Sequence, residues 1–222
     1  MITAAVRRLI ENARMQLGYL EKASNKQLDD FTANAGAGNY TIYGQWYKMN
    51  GQPWCAMFVS WCAWKAGIAE TVIPKHASCS VGVNWFKKAG RWTPRKDYTP
   101  VPGDIIYFSR NGADPVHIGI VERVDASRVY TIEGNTSGGS TLIDNGGGVA
   151  RKSYPLGYAY ILGYGNPAYA DEIKPLVDAV STKVGIAAGY WYDALNGSIQ
   201  VTPEILQELF KKFQRYLEGD DA

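Results

Sequence analysis

The spacing of apolar residues changes along this chain, from helical spacing near its start to shorter, strand-like runs further on. Near the N-terminus apolar residues recur every three or four positions, which predicts an amphipathic helix. A polar, Gly- and Asn-rich stretch follows, which we interpret as a long ordered loop with one helical turn near residues 27–34. Residues 52–67 then form an apolar run that is too long for a typical strand, and Gly67 closes it as a C-cap glycine closes a helix. The apolar side of the first helix comprises Val6, Leu9, Ile10, Ala13 and Leu17.

Strand signals dominate the middle of the chain, after a short amphipathic helix predicted near residues 81–89. The runs VPGDIIYFS, VHIGIVERV and RVYTIEGN follow one another, and the turn Asp125-Ala126-Ser127 joins the last two. Residues 136–148 are rich in Gly, Ser and Thr and are predicted as a loop, and GYAYILGYG supplies a last strand. The pattern therefore places helices first and strands after them.

Composition shifts again at GNPAYADE, and we place a domain boundary there, between residues 1–166 and residues 167–222. Two helices are predicted in the second region, EIKPLVDAVSTKVGIAAGYWYDAL and a helix with Thr202 as N-cap and Pro203 as its first residue. A region of this size is too small to be very stable alone. We expect it to pack on the main domain or on another copy of itself.

Composition excludes several classes of protein. The chain has 222 residues, of which 46% are hydrophobic and 20% charged, as in an ordinary globular protein with an ample core. A formal net charge of +2 is too small to indicate a nucleic-acid partner, and no segment is long and apolar enough for membrane insertion. Three cysteines, an odd number, speak against a disulfide scaffold. Because Arg7, Arg8 and Glu11 interrupt any signal-peptide core, we expect synthesis in the cytoplasm without a signal peptide.

Cys55 stands where a coil that ends in Pro53-Trp54 enters the apolar helix. The unpaired N–H groups and the positive dipole end of a helix start favour a thiolate over a thiol. Cys62 lies about 10 Å further along the helix axis at ~1.5 Å per residue, too far for a disulfide with Cys55, and fits an inert buried cysteine. We assign Cys79 to a loop, where it is either buried or lines a cleft.

A hairpin centred on Ala126 brings polar side chains together. In that register His117 opposes Asn135 and Gly119 opposes Glu133, and all four lie on one face because side chains alternate along a strand. Gly119 leaves space for Glu133 to lean towards the imidazole. The other face is predicted to be a core face and comprises Val116, Ile118, Ile120, Tyr130 and Ile132.

A cysteine, a histidine and an orienting polar side chain form a nucleophilic set. His117 takes or shares the proton of Cys55, and Glu133 or Asn135 fixes the orientation of the imidazole. The thiolate attacks a carbonyl, the imidazolium protonates the leaving amine, and water cleaves the thioester. The backbone N–H of Cys55 is a natural oxyanion donor, and the sequence does not identify a second one. His76 is the only competing base, in a loop with no carboxylate placed to orient it.

The blocks PWCAMFVSWC, PVPGDIIYF, HIGIVE and IEGNTS, in this order and spacing, resemble a CHAP domain, a cysteine, histidine-dependent amidohydrolase/peptidase. The resemblance covers roughly residues 5–166. It implies an α+β, papain-like fold of the CHAP/NlpC type, in which N-terminal helices pack on an antiparallel β-sheet. Residue by residue, Cys55 matches the family's nucleophile and His117 its base, and Glu133 and Asn135 match the third and fourth polar positions.

The resemblance also implies a function, the hydrolysis of peptidoglycan at the N-acetylmuramoyl-L-alanine amide or within its peptides. The missing signal peptide favours a phage or prophage endolysin that reaches the cell wall through a separate holin-type pore. A bacterial autolysin, a cysteine amidohydrolase acting on a non-wall amide and a decayed wall-binding module stay open as alternatives. We expect no cofactor and no metal, because the segment KMNGQPW before Cys55 lacks the acidic residues with which some family members bind calcium. The expected partner is bacterial peptidoglycan, with the C-terminal helices as candidates for self-association.

Overall fold

The chain divides into two compact units, of which the larger runs from Ala4 to Tyr169 and the smaller consists mainly of Ala170–Ala222. The first helix predicted in the C-terminal region falls almost entirely outside the residues that the structure describes. The functional division between the two regions stays a prediction. The structure is a computed structural model and describes residues 3–169, 181–182, 185, 189–191 and 202–218.

Helices form the first half of the larger unit, as predicted. The first helix buries Val6, Leu9, Ile10 and Ala13 as expected, but it ends before Leu17, which is only partly buried. The helix that begins at Cys55 is buried on nearly every side and is followed by Gly67 at φ 74°. The stretch interpreted as a loop contains an unpredicted short helix that Thr41 caps by accepting from the Gly44 N–H. Residues 27–34 form turns rather than a helical turn. The helices are α1 Ala4–Arg14, α2 Ile42–Tyr47, α3 Cys55–Lys65 and α4 Cys79–Lys88, and the smaller unit contains α5 Pro203–Glu218.

In the described part of the chain, six strands form one antiparallel sheet in the order β1-β6-β2-β3-β4-β5. The predicted α+β class, with helices packed on an antiparallel sheet, is confirmed. Two strands were not predicted, β1 and β5. Strand β5 has the sequence GVARKSYP, in which two adjacent charged residues hide the alternation. The strands are β1 Trp92–Pro94, β2 Ile105–Ser109, β3 Pro115–Val124, β4 Arg128–Thr136, β5 Gly148–Pro155 and β6 Ile161–Gly165.

Both faces of the sheet carry apolar clusters, one shared with the helices and one on the opposite side. Ile118, Ile120 and Ile132 belong to the first cluster, as predicted. The prediction was wrong for Val116, which packs on the second cluster, and for Tyr130, which lies in neither. A β-bulge at Glu122 pairs Tyr130 with Arg123 at the end of the hairpin, beyond the core, where the guanidinium covers the tyrosine ring at 3.2 Å. None of the helices in the described ranges is both long and apolar enough to cross a membrane.

Candidate active site

Cys55 is the first residue of α3, so the predicted placement of this thiol at a helix start is confirmed. Trp54 precedes it as the N-cap and is fully buried. Its indole Nε1–H donates to Glu21 Oε2 at 2.9 Å, and its ring stacks on Tyr43 at 5.2 Å between centroids. These contacts fix the start of the helix and, with it, the position of Cys55. The Cys55 residue is 6% exposed.

His117 on β3 and Glu133 on β4 form a buried pair, with 3.0 Å between His117 Nε2 and Glu133 Oε2. Neither side chain is exposed. A Cβ atom at Gly119 would lie 2.6 Å from Glu133 Cγ, so the carboxylate side chain occupies the space that the glycine leaves. This is the arrangement that the predicted hairpin register requires, and that register is observed in the pair Ile120 and Ile132. With Nε2 donating to the carboxylate, Nδ1 is the nitrogen available to other groups.

Two further donors hold the Glu133 carboxylate. The Thr131 hydroxyl donates to Glu133 Oε1, and the Tyr154 hydroxyl donates to Oε2 at 3.2 Å. Neither residue was predicted as part of the site. Thr131 precedes Glu133 by two positions on the same strand, and alternation alone places both on one face. Tyr154 could not be found this way, because it lies on the unpredicted strand β5.

Charge in the site favours a thiolate and an imidazolium. Burial alone would lower the pKa of His117, but contact with Cys55 and Glu133 outweighs it and raises the pKa to about 9. Within the described residues, His117 Nδ1 makes no hydrogen bond of standard geometry. The pKa of Cys55 lies well below its ordinary value, mainly because of its contact with Cys79. Burial raises the pKa in opposition, while His117 and the Ala56 N–H lower it further.

Cys79 is not a loop residue, contrary to the prediction, but the first residue of α4. The helix begins two residues earlier than the apolar pattern indicated, because Cys79 and Ser80 interrupt that pattern without breaking the helix. The Cys79 residue is 8% exposed, and its sulfur lies 3.9 Å from the Cys55 sulfur. Contact with Cys55 and burial hold the pKa of the Cys79 thiol well above its ordinary value, so it stays protonated beside the thiolate.

Asn135 is buried at the end of β4, with a left-handed backbone at φ 58°. Its Nδ2 donates to the backbone oxygen of Asp144 at 3.3 Å, and its backbone oxygen accepts from the Gly146 N–H at 2.9 Å. Within the described residues no hydrogen bond joins the Asn135 side chain to His117, and Asn135 Oδ1 has no partner. The residue thus ties the loop after β4 to the site, while Glu133 holds the imidazole.

His76 is a buried neutral histidine. Its Nδ1–H donates to the Pro74 oxygen at 2.8 Å, and its backbone N–H donates to Ser60 Oγ at 2.9 Å. Burial lowers its pKa to about 4, against the effect of the Pro74 contact. These contacts explain His76 as part of the core beneath α3 and leave His117 as the candidate base.

A cavity of about 380 Å³ is lined by residues that contact Trp54 and Asn135. Glu21, which holds the Trp54 indole, lies on one side, and Gly146, which bonds to Asn135, lies on the other. Most of the other lining residues are Gly or Ala, so few side chains fill the space. Among the described residues, no group of three or more His, Cys, Asp or Glu side chains is arranged to hold a metal ion.

Known proteins give two points of comparison. A crystal structure of Ly7917 is similar to this chain with a TM-score of 0.41 and 19% identity, and one of Ly7917 with the hydrolyzing product of MDP has a TM-score of 0.40 and 18% identity. Each comparison covers 73% of this chain and 62% of the Ly7917 chain, less than two thirds of its length. No curated protein matches the chain. The sequence model of the CHAP domain family matches residues 46–135, a range that contains Cys55, His117, Glu133 and Asn135. The resemblance to a CHAP domain is therefore supported over residues 46–135.

Proposed function

We propose that this protein hydrolyses an amide bond of bacterial peptidoglycan, with Cys55 as the nucleophile and His117 as the general acid and base. The observation that carries the proposal is the set of contacts around the imidazole. A cysteine at a helix start influences the ring from one side, and a buried carboxylate binds Nε2 at 3.0 Å. The match to the cysteine, histidine-dependent amidohydrolase/peptidase family supports peptidoglycan as the substrate.

The reaction begins with attack of the Cys55 thiolate on the carbonyl carbon of the amide. The backbone N–H of Cys55, at the unpaired start of α3, is available to stabilise the oxyanion that develops. The His117 imidazolium then gives the Nδ1 proton to the leaving amine, which departs and leaves a thioester. Neutral His117 takes a proton from water, and the hydroxide that forms cleaves the thioester and restores the thiolate.

Glu133 keeps the imidazole in the orientation that these steps need. The carboxylate binds Nε2–H, so the ring presents Nδ1 to the reacting atoms throughout the cycle. Donation from Thr131 and Tyr154 holds the carboxylate in place without neutralising it. The negative charge therefore remains available to stabilise the imidazolium.

Purified cell walls provide the test. The full chain is expected to clear a wall suspension, and Cys55→Ala is expected to abolish clearing while keeping the fold, as checked by circular dichroism. Mass spectrometry of the released fragments then identifies the bond, since an amidase frees an intact stem peptide and an endopeptidase frees shortened ones. Clearing by Cys55→Ala, or binding to walls with no release of fragments by the wild type, would contradict the proposal.

From the family resemblance we propose that this activity releases phage from an infected or lysogenic cell. A bacterial host that makes the protein in its cytoplasm should then lyse only when a membrane pore is opened. Active protein in the medium of intact cells would instead support an autolysin.

A further inference from the structure

We propose that Cys55 and Cys79 are an oxidative modification site, at which a peroxide converts the two thiols into a reversible disulfide. The pair lies outside the hydrolytic steps, which need only one sulfur. Formation of the disulfide does not depend on the proposed function, but its consequence, reversible loss of activity, rests on Cys55 being the nucleophile.

Geometry is the first support. The two sulfurs lie 3.9 Å apart on the first residues of two different helices, α3 and α4. A disulfide requires a further approach of about 2 Å between the two sulfurs. Ser78, the N-cap of α4, makes no side-chain capping bond. Cys62, fully buried two turns along α3, has no such neighbour among the described cysteines.

The chemistry of the pair is asymmetric, as stepwise oxidation requires. Cys55 has the imidazolium of His117 and the Ala56 N–H beside it, and Cys79 lacks both, so Cys55 is the thiolate and Cys79 the thiol. The thiolate attacks one oxygen of hydrogen peroxide, the O–O bond breaks, and the hydroxide that leaves takes a proton from His117. Cys55 is then a sulfenic acid. The Cys79 sulfur attacks the Cys55 sulfur, the S–O bond breaks, and water departs with the Cys79 proton, so that the two thiols have given two electrons to the peroxide.

The disulfide would protect the enzyme rather than only inhibit it. A sulfenic acid without a nearby thiol is oxidised further to a sulfinic acid, which thiols do not reduce. A disulfide between Cys55 and Cys79 stops at the reversible stage and is reduced by thiol exchange, which regenerates the nucleophile. Cys79 thus acts as a resolving cysteine for the nucleophile of the site.

The experiment treats the full-length protein with hydrogen peroxide and maps its disulfides by mass spectrometry after digestion under non-reducing conditions. The expected result is a peptide pair joined through Cys55 and Cys79 within one chain, and none joined through Cys62. Cys62→Ala, the matched control, should give the same cross-link. Absence of the cross-link in oxidised wild type, or a cross-link to Cys62 instead, overturns the proposal.

Recovery of activity gives the second readout, with each variant compared with its own untreated sample. After excess peroxide followed by dithiothreitol, wild type and Cys62→Ala should regain most of their wall-clearing rate. Cys79→Ser and Cys79→Ala should regain little and should carry a sulfinic acid at Cys55. Full recovery in both Cys79 variants overturns the protective role. If the cross-link forms but untreated wild type releases no wall fragments, the modification site stands and the proposed function fails.

Discussion

Glu133 accepts hydrogen bonds from His117, Thr131 and Tyr154 at a position with no solvent exposure. A buried carboxylate is stable only when its oxygens are satisfied, and here one of the three donors is the imidazole itself. Glu133 therefore couples the stability of the β3–β4 pair to the charge state of His117. Nearby, Lys152 Nζ donates to the Ser137 oxygen at 2.8 Å, and burial lowers the pKa of this lysine against the effect of Glu133.

Replacement of the carboxylate by an amide tests this link. Glu133→Gln is expected to lower kcat/KM by about 100-fold or more, because His117 loses the charge that stabilises its imidazolium. Steady-state kinetics on a soluble muropeptide measures the loss. Tyr154→Phe, which removes one donor and keeps the carboxylate, should cost only a few-fold. Equal losses in the two variants would show that the carboxylate is structural.

The charges of the site also predict its pH dependence. The proposed hydrolysis needs the Cys55 thiolate and the His117 imidazolium together, so kcat/KM should fall at high pH as the imidazolium loses its proton, with a pKa of about 9. It should fall at low pH when Cys55 takes up a proton. Alkylation by iodoacetamide needs only the thiolate and should continue above pH 9. An alkylation rate that declines together with hydrolysis at high pH would contradict this assignment.

At the scale of single residues, the sequence predicted that His117, Glu133 and Asn135 lie on one face of a hairpin. This was possible because alternation along a strand fixes which side chains share a face. It left Glu133 and Asn135 as equal candidates for orienting the imidazole, and only side-chain positions separate them. It also missed the approach of Cys79 to Cys55, since the relative placement of two helix starts depends on how the helices pack and not on a local pattern.

Among the elements, the hairpin of β3 and β4 depends on the absence of a side chain at Gly119. Gly119→Ala would place a Cβ 2.6 Å from Glu133 Cγ and force the carboxylate away from His117. We expect a loss of activity together with a stability cost of about 1–3 kcal/mol, the usual range for overpacking. Kinetics and urea unfolding measure the two effects. Gly157→Ala, where an added Cβ meets nothing within 4 Å, is the matched control and should change neither.

A second element-scale prediction concerns Glu122, whose nearly buried carboxylate bridges Arg14 on α1 at 2.7 Å and Arg151 on β5 at 2.6 Å. Burial raises its pKa, but the two arginines outweigh burial and lower it. A lowered folded-state pKa adds stability that is present above the unfolded pKa and lost as the pH falls through the folded one. Glu122→Gln should therefore cost about 1–2 kcal/mol at neutral pH, since both arginines are half exposed, and much less near pH 3.

Urea unfolding at the two pH values tests this bridge. Glu11→Gln is the control, because Glu11 meets Arg14 only as an exposed pair at 3.4 Å and should contribute little at either pH. A cost for Glu122→Gln that is the same at both pH values would assign its effect to packing instead of charge.

Helices and strands with an uninterrupted apolar pattern could be predicted from the sequence. Those in which a polar residue is buried in a tertiary contact could not. The apolar run of α3 indicated a buried helix, and Gly67 marked its end. Strand β5 was missed because Lys152, a residue type that normally marks a surface, is 2% exposed there and holds the loop after β4. Helix α2 was missed because six residues are too few for a helical period to show.

For the whole molecule, the larger unit contains every candidate catalytic residue and extends slightly past the predicted boundary near residue 167. Tyr169 belongs to it, since its hydroxyl donates to the Gly103 oxygen at 2.6 Å and its ring packs on the helix-side cluster. Asn166 adds hydrogen bonds to Asp104 and Thr93. A cut meant to separate catalysis from the C-terminal region must therefore fall after Tyr169.

Truncation after Tyr169 is expected to leave hydrolysis of soluble muropeptides within a few-fold of the full chain, because the contacts of the site lie within Ala4–Tyr169. Attack on whole walls should weaken more, if the C-terminal region serves targeting or assembly. Helix α5 is amphipathic and leaves Phe210 71% exposed, which favours a partner surface, so Phe210→Ser in the full chain should reproduce part of the loss. Assays on both substrates, with sizing by light scattering and a thermal melt, measure these effects. A folded truncated protein that is inactive on both substrates would show that the C-terminal region contributes to catalysis.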